Sequence, residues 1–264
     1  MSMKLYDLMT YLNQVFPFEI SKDWDNSGRQ IADDQKTINR IVIGIDLTDK
    51  LLDKAIETNA DLIITHHPFI FSPLKRVNIT SYKGDIIKRM IVNDISSIAL
   101  HTNYDLSIIG MGQVIGSKIG LVNLGHLVKA ESFKESGFGS VGDLEKEVEL
   151  NTFIDTFKNK FQLEYVTLYN ENAKQTIKKV AFCGGAGADF ILDAINMKAD
   201  IYITGDITHH DAQAAYEGGI ILMDPTHYGL EKVFIDHLSS LIADEYSGIE
   251  LIPYQVNEFK AKIR

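Results

Sequence analysis

Leu5, Leu8, Met9 and Leu12 recur at helical spacing near the start of the chain, which predicts an amphipathic helix over 4–15. The pattern then changes period. Trp24-Asp25-Asn26-Ser27-Gly28 reads as a turn, and Ile41 to Asp46 is a β-branched run suited to a buried parallel strand. Thr48 is placed to cap a helix running through Asn59, with Leu51, Leu52, Ala55 and Ile56 on its inner face. Leu62 to Thr65 is the next strand, 83–93 the next helix, and Ile95 to Leu100 a further strand. Apolar runs of strand length alternating with helical stretches predict βαβ units and a mostly parallel sheet.

The second half repeats the first. Residues 38–65 laid on 177–204 without a gap bring Ile38 onto Ile177 and Ala55-Ile56 onto Ala194-Ile195. The same overlay brings Ala60-Asp61 onto Ala199-Asp200 and Ile64-Thr65 onto Ile203-Thr204. The strand 95–100 has its counterpart at 218–222, which puts Asp105 opposite His227. The expected architecture is therefore α/β: two pseudo-duplicated lobes with mostly parallel sheets, 1–125 and 177–264, whose strand ends supply one metal cleft between them. Residues 126–176 join the lobes without a large inserted domain, with a helix over 143–160 and a strand over 163–169. No stretch there is rich enough in Pro, Gly or Ser for a disordered linker.

Composition narrows the class. A chain of 264 residues, 45% hydrophobic and 23% charged, can bury a sizeable core and has the make-up of a soluble globular protein. No apolar run approaches the ~18 residues of a membrane span. Asp7 interrupts the N-terminal apolar stretch and no small-residue cleavage site follows, so no signal peptide is expected. The single cysteine, Cys183, excludes an intramolecular disulfide and fits a reducing compartment, so a cytoplasmic location is expected. A net charge of −10 argues against a sequence-independent grip on nucleic acid.

The chemistry concentrates where strands end. His66-His67 follows the strand 62–65, His101 follows 95–100, and Pro68 marks the change from strand to loop that lets neighbouring histidines serve one site. His227 and Glu231, four residues apart, share a helix face and offer an imidazole and a carboxylate to one metal. Asp105 is a ligand candidate through its match to His227. His101 is either a partner that orients a ligand, a proton carrier, or a histidine satisfied by backbone. His209-His210 opens a helix, where it either contacts phosphate or acts as a general acid, or stands exposed beside a cap formed by Asp206 or Thr208. Gly184-Gly185-Ala186-Gly187 is either a phosphate cradle or a tight turn that needs small residues. Gly137-Phe138-Gly139-Ser140-Val141-Gly142 has the letters of a dinucleotide fingerprint, but Asp143, Glu145, Glu147 and Glu149 would repel a pyrophosphate. Cys183 has no separate base indicated for a nucleophilic role.

Six motifs in order resemble one family. Trp24-Asp25-Asn26-Ser27-Gly28-Arg29-Gln30, Thr65-His66-His67-Pro68-Phe69, His101-Thr102-Asn103-Tyr104-Asp105, Cys183-Gly184-Gly185-Ala186-Gly187, Gly205-Asp206-Ile207-Thr208-His209-His210 and His227-Tyr228-Gly229-Leu230-Glu231 are similar to those of the NGG-one-interacting-factor-three-like family. Its bacterial members are often labelled GTP cyclohydrolase 1 type 2 homologues. The resemblance implies a two-lobed fold, a ring-shaped homohexamer and a dinuclear centre with His66, His67, Asp105, His227 and Glu231 as ligands. That mixed nitrogen and oxygen set suits two divalent ions such as zinc, manganese, iron or cobalt. The implied activity is metal-dependent hydrolysis of a nucleotide or related small substrate, with His101, His209 or His210 carrying the proton. The alternative is a metal-binding scaffold or regulator without turnover. The family usually has Gly before the last ligand histidine, where this chain has Asp224-Pro225-Thr226.

Overall fold

The computed structural model describes residues 3–130 and 136–261. Two compact units divide the chain: one runs to Tyr104 and resumes at Phe234, and the other is Asp105–Val233. This division differs from lobes at 1–125 and 177–264. The chain leaves the first unit inside the short helix Thr102–Leu106.

The first unit is built on a five-stranded sheet in the order Glu250–Pro253, Arg40–Gly44, Leu62–Thr65, Ser96–Ala99, Gly28–Ile31. The first four are parallel and the last is antiparallel. Residues 62–65 and 96–99 are buried throughout, as an apolar run in a sheet covered on both faces requires. Thr48 caps the helix Asp49–Glu57 by accepting from the Leu51 N–H, and Ser81 caps Tyr82–Val92 through the Gly84 N–H. Leu51, Leu52, Ala55, Ile86 and Met90 of these helices pack with Val42 and Ile63 of the sheet. The helix Leu5–Val15 buries Leu5, Leu8, Met9 and Leu12, the stripe its spacing predicts.

The second unit carries a six-stranded mixed sheet in the order Leu121–Lys129, Gly137–Glu149, Thr176–Ala186, Ile201–Gly205, Ile221–Asp224, Thr167–Tyr169. Its parallel strands repeat the first unit in register. The overlay of 38–65 on 177–204 carries the pair Ile41–Leu62 onto Val180–Ile201, and Val42–Ile63 onto Ala181–Tyr202. The shared Ala-Asp step explains itself. Asp61 Oδ2 accepts the N–H groups of Asn39 (2.8 Å) and Arg40 (3.0 Å), and Asp200 Oδ2 accepts those of Lys178 (2.9 Å) and Lys179 (2.8 Å). Each carboxylate, just before one parallel strand, ties the start of that strand to the early residues of its neighbour.

Four sequence expectations are corrected. The third strand begins at Ile221, not 218, because Gly218 ends the helix His209–Gly218 and Gly219 takes a left-handed φ of +68° to terminate it. Leu62 pairs with Ser96 and Ile201 with Ile221, so Thr102, not Asp105, stands opposite His227 in the repeat. Residues 143–149 are strand, not helix. Asp143, Glu145, Glu147 and Glu149 alternate with other residues at period two, the strand is paired on both sides, and the helix Leu150–Phe161 starts only after Glu149 caps it. The strand expected over 163–169 is confined to Thr167–Tyr169. The apolar run 249–256 supplies Glu250–Pro253, which pairs inside its own unit with Arg40–Ile43. Among the described residues no helix is long and apolar enough to cross a membrane.

Candidate metal centre

In the first unit three imidazoles converge where parallel strands end. The backbone N–H groups of His66 and His67 still bond to the carbonyls of Gly44 (3.3 Å) and Ile45 (3.0 Å), so the strand ladder delivers both residues before Pro68 turns the chain away. His66, fully buried, donates its Nδ1–H to the Leu100 carbonyl at 2.8 Å. His67 Nδ1 meets Asp46 Oδ1 at 2.8 Å and His101 Nδ1 meets Asp25 Oδ1 at 2.7 Å. An oxygen acceptor at each Nδ1 fixes the tautomer, so the lone pair of a neutral ring lies on Nε2. Ring centroids are 5.0 Å (His66–His67), 5.2 Å (His66–His101) and 5.5 Å (His67–His101) apart. One ligating nitrogen from each of the three lies within 4.8 Å of the others. Nitrogen ligands sit about 2 Å from a zinc ion, so this donor set fits a borderline divalent cation.

Asp25 is held more tightly than its exposed turn suggests. Burial raises its pKa, but hydrogen bonds from His101, Ser27 and Thr102 outweigh burial and carry the carboxyl far below the usual range. Phe234 and Tyr104 wall His66 at centroid distances of 5.2 and 6.0 Å. The Tyr104 hydroxyl bonds in turn to His237 Nδ1 at 2.8 Å, and burial lowers the pKa of His237.

In the second unit His227 opens the helix His227–Glu231. Its Nδ1 meets Asp206 Oδ2 at 2.7 Å and its Nε2 meets Glu231 Oε2 at 3.0 Å, so the expected helix-face pair forms. Glu231 is buried, and Gly185 makes the room: a Cβ there would stand 2.3 Å from Glu231 Oε1 and 3.2 Å from His227 Nε2. A Cβ on Gly205 would stand 2.6 Å from the His227 backbone nitrogen. The glycines at these strand ends thus clear space for two side chains. Thr226 explains the family's glycine before the last histidine. It adopts φ +70° and ψ 154°, a region almost reserved for glycine, while its hydroxyl caps the helix through the Gly229 N–H. Burial raises the pKa of the preceding Asp224 despite hydrogen bonds from Thr226 and Ile207.

The other expected residues fall as follows. Asp105, half-buried, borders a cavity of about 230 Å³ with Ser107, His126 and Ser140. Among the described residues it joins no group of three ligating atoms. His209 and His210 are exposed at the start of a helix capped by Thr208 and Asp211, their rings 5.3 Å apart. Cys183 is buried. Burial, then the charges of Asp105 and Glu231, push its thiol well above the ordinary value, which suppresses the thiolate. The roles of Asp25, Asp46 and Asp206 escaped the sequence reading. Each lies within three residues of a strand end, the place from which a carboxylate reaches a nearby histidine.

Fold and donors together define an α/β protein with His/Glu groups able to bind metal ions. The chain belongs to the Duf34/NIF3 (NGG1p interacting factor 3) family, whose profile matches residues 3–258. It is 34% identical over 231 residues to GTP cyclohydrolase 1 type 2 of Helicobacter pylori, covering 86% of this chain and 87% of the relative. It is 31% identical over 247 residues to a GTP cyclohydrolase 1 type 2 homolog of Streptococcus pneumoniae, covering 91% and 92%. Among solved structures, a Staphylococcus aureus hypothetical protein superposes with a TM-score of 0.91 at 27% identity, over 100% of both chains.

Proposed function

We propose that the protein is a metal-dependent hydrolase acting on a nucleotide or a related small substrate, with His66, His67, Asp105, His227 and Glu231 holding two divalent ions. The observation that carries the reading is that His66, His67 and His227 each have Nδ1 set by an oxygen of the protein, the arrangement that prepares imidazole for a metal. The names of the Helicobacter and Streptococcus relatives supply the nucleotide. When bound, such ions supply Lewis acidity and make water a nucleophile near neutral pH. Asp46 and Asp206 orient two of the rings. His101, fixed by Asp25, is the preferred proton carrier, since His209 and His210 stand exposed at a helix start. From the family resemblance we also propose a homohexamer; light scattering that returns the mass of one 29.6 kDa chain would refute it.

Elemental analysis of the purified protein should find about two ions per chain, with loss in His67→Ala and in Glu231→Ala. Metal-loaded protein should then hydrolyse GTP, with His67→Ala as the blank. Full occupancy in both variants removes the proposal. Metal without turnover on any nucleotide leaves a metal-binding scaffold.

A further inference from the structure

Two large apolar side chains stand in solvent beside the imidazole cluster. Trp24 is 58% exposed and Phe71 47% exposed. Their rings lie 6.1 Å apart, and each also lies against His101, at 6.1 Å from Trp24 and 6.4 Å from Phe71. Isolated apolar residues on a surface are ordinary, but three rings meeting at one point are not.

The surrounding backbone holds them there. Asn26 Nδ2 donates to the Ile70 carbonyl at 2.6 Å, the Ile70 N–H donates to Gln30 Oε1 at 2.9 Å, and Gln30 Nε2 returns to the Asn26 carbonyl at 2.6 Å. This closed set of bonds straps the turn bearing Trp24 to the loop bearing Phe71. Asp25, next to Trp24, is fixed by Ser27, His101 and Thr102. The aromatic pair is therefore positioned by these bonds.

Resting on the nucleotide reading above, we infer that Trp24 and Phe71 form the seat for the planar heteroaromatic ring of the substrate, stacking it beside His101. Flat π-faces attract any base without reading its edge, so the seat takes a purine and favours it over a sugar phosphate that carries no base. The two rings are tilted by 47° and closer than twice the shortest ring separation of about 4.5 Å, so the base lies across their outer surface and does not slip between them.

Trp24 is the chain's single tryptophan, so its emission reports this position alone. The protein, metal-loaded and metal-free, is titrated with guanosine 5′-monophosphate and with ribose 5-phosphate, exciting at the red edge where guanine does not absorb. The nucleotide should quench Trp24 saturably and the sugar phosphate should not. Phe71→Leu, read by the same emission, and Trp24→Leu, read by equilibrium dialysis, should each weaken nucleotide binding about tenfold, equal to about 1.4 kcal/mol, with metal content unchanged. No emission change with the nucleotide, an equal response to ribose 5-phosphate, or undiminished affinity in both variants overturns the seat. The two readings fail separately. Binding without turnover sinks the hydrolase and leaves the seat, whereas GTP turnover without a Trp24 response leaves the hydrolase and removes the seat.

Discussion

Where the strand Leu62–Thr65 ends, the chain runs on into His66-His67; at the matching point of the second sheet, Ile201–Gly205 ends on Gly205 and passes to Asp206. One strand over, Asp46 of the first unit matches Gly185 of the second. The first sheet thus carries imidazole and carboxylate on its strand ends. The second strips its strand ends to glycine and brings its donors, His227 and Glu231, on the short helix that follows the third strand. Hydrogen-bond register has been kept in both while the chemistry has moved from strand to helix. A duplicated backbone constrains where donors can stand, but not which of the available places is used.

The strongest way to break this comparison is Gly205→Ala. Its Cβ would fall 2.6 Å from a backbone nitrogen, which cannot swing aside as a side-chain tip can. We expect a loss of about 3 kcal/mol, a fall in melting temperature of roughly 6–12 °C, and loss of metal from the variant. Calorimetry and elemental analysis check it, and a variant with wild-type melting would show that the strand end need not be bare.

Next come the carboxylates behind the rings. Asp46→Asn and Asp206→Asn should each weaken metal binding about 10–100-fold with the fold intact, measured by competition with a chelator dye. Equal losses would mean that the two units orient their imidazoles alike despite placing them differently. A loss confined to Asp46→Asn would sharpen the contrast.

The matched capping carboxylates supply a pH test. Burial pushes Asp200 upward, but the N–H groups of Lys179 and Lys178 and the Lys174 ammonium, 3.1 Å away, more than offset it and lower its pKa. A folded pKa below the unfolded value of about 3.9 gives stability that is complete above that pH and is lost as pH falls through the folded value. Asp200→Asn should therefore cost stability at neutral pH and progressively less as pH falls below the ordinary aspartate range, as denaturant titrations across that range would show. A cost independent of pH would assign the effect to packing.

The smallest effect is expected at Thr226→Gly. Relief of a strained φ is worth about 1–3 kcal/mol, but the variant loses a few tenths with the hydroxyl cap and about 0.5–1 in chain entropy. The net should be a gain of about 1 kcal/mol or less, visible as a slightly higher melting temperature. A clear loss would mean that the hydroxyl's bond to Gly229 outweighs the strain.

The parallel core was legible because its signals are local. Strands 40–44, 62–65 and 96–99 are short apolar runs, and Thr48 announces its helix through a side chain. The ungapped overlay was legible because Asp61 and Asp200 do the same work in both units. What failed depended on partners distant in sequence. The stretch 143–149 looks helical by composition, and only its pairing with both neighbours makes it strand. That His66 meets His67, and that His227 meets Glu231, was readable from their motifs. Asp25 and Asp46 were assigned no role and Asp206 only that of a candidate helix cap, because an aspartate beside a strand end looks the same whether it faces solvent or a ring. The fold also relocated Asp105: register places it away from the position opposite His227 that the overlay suggested.

The strand Glu250–Pro253 completes the first sheet by pairing with Arg40–Gly44, 210 residues earlier. A ribosome adding about 5–20 residues per second needs roughly 10–40 s to cover that distance. Until then the Arg40 strand emerges with one bare edge, while Asp105–Val233, continuous in sequence, can fold as soon as it clears the exit tunnel. The order of assembly is thus expected to run against the order of synthesis: the half of the molecule made first is finished last. The exposed edge during that interval is where a chaperone, or an aggregate, would find this nascent chain.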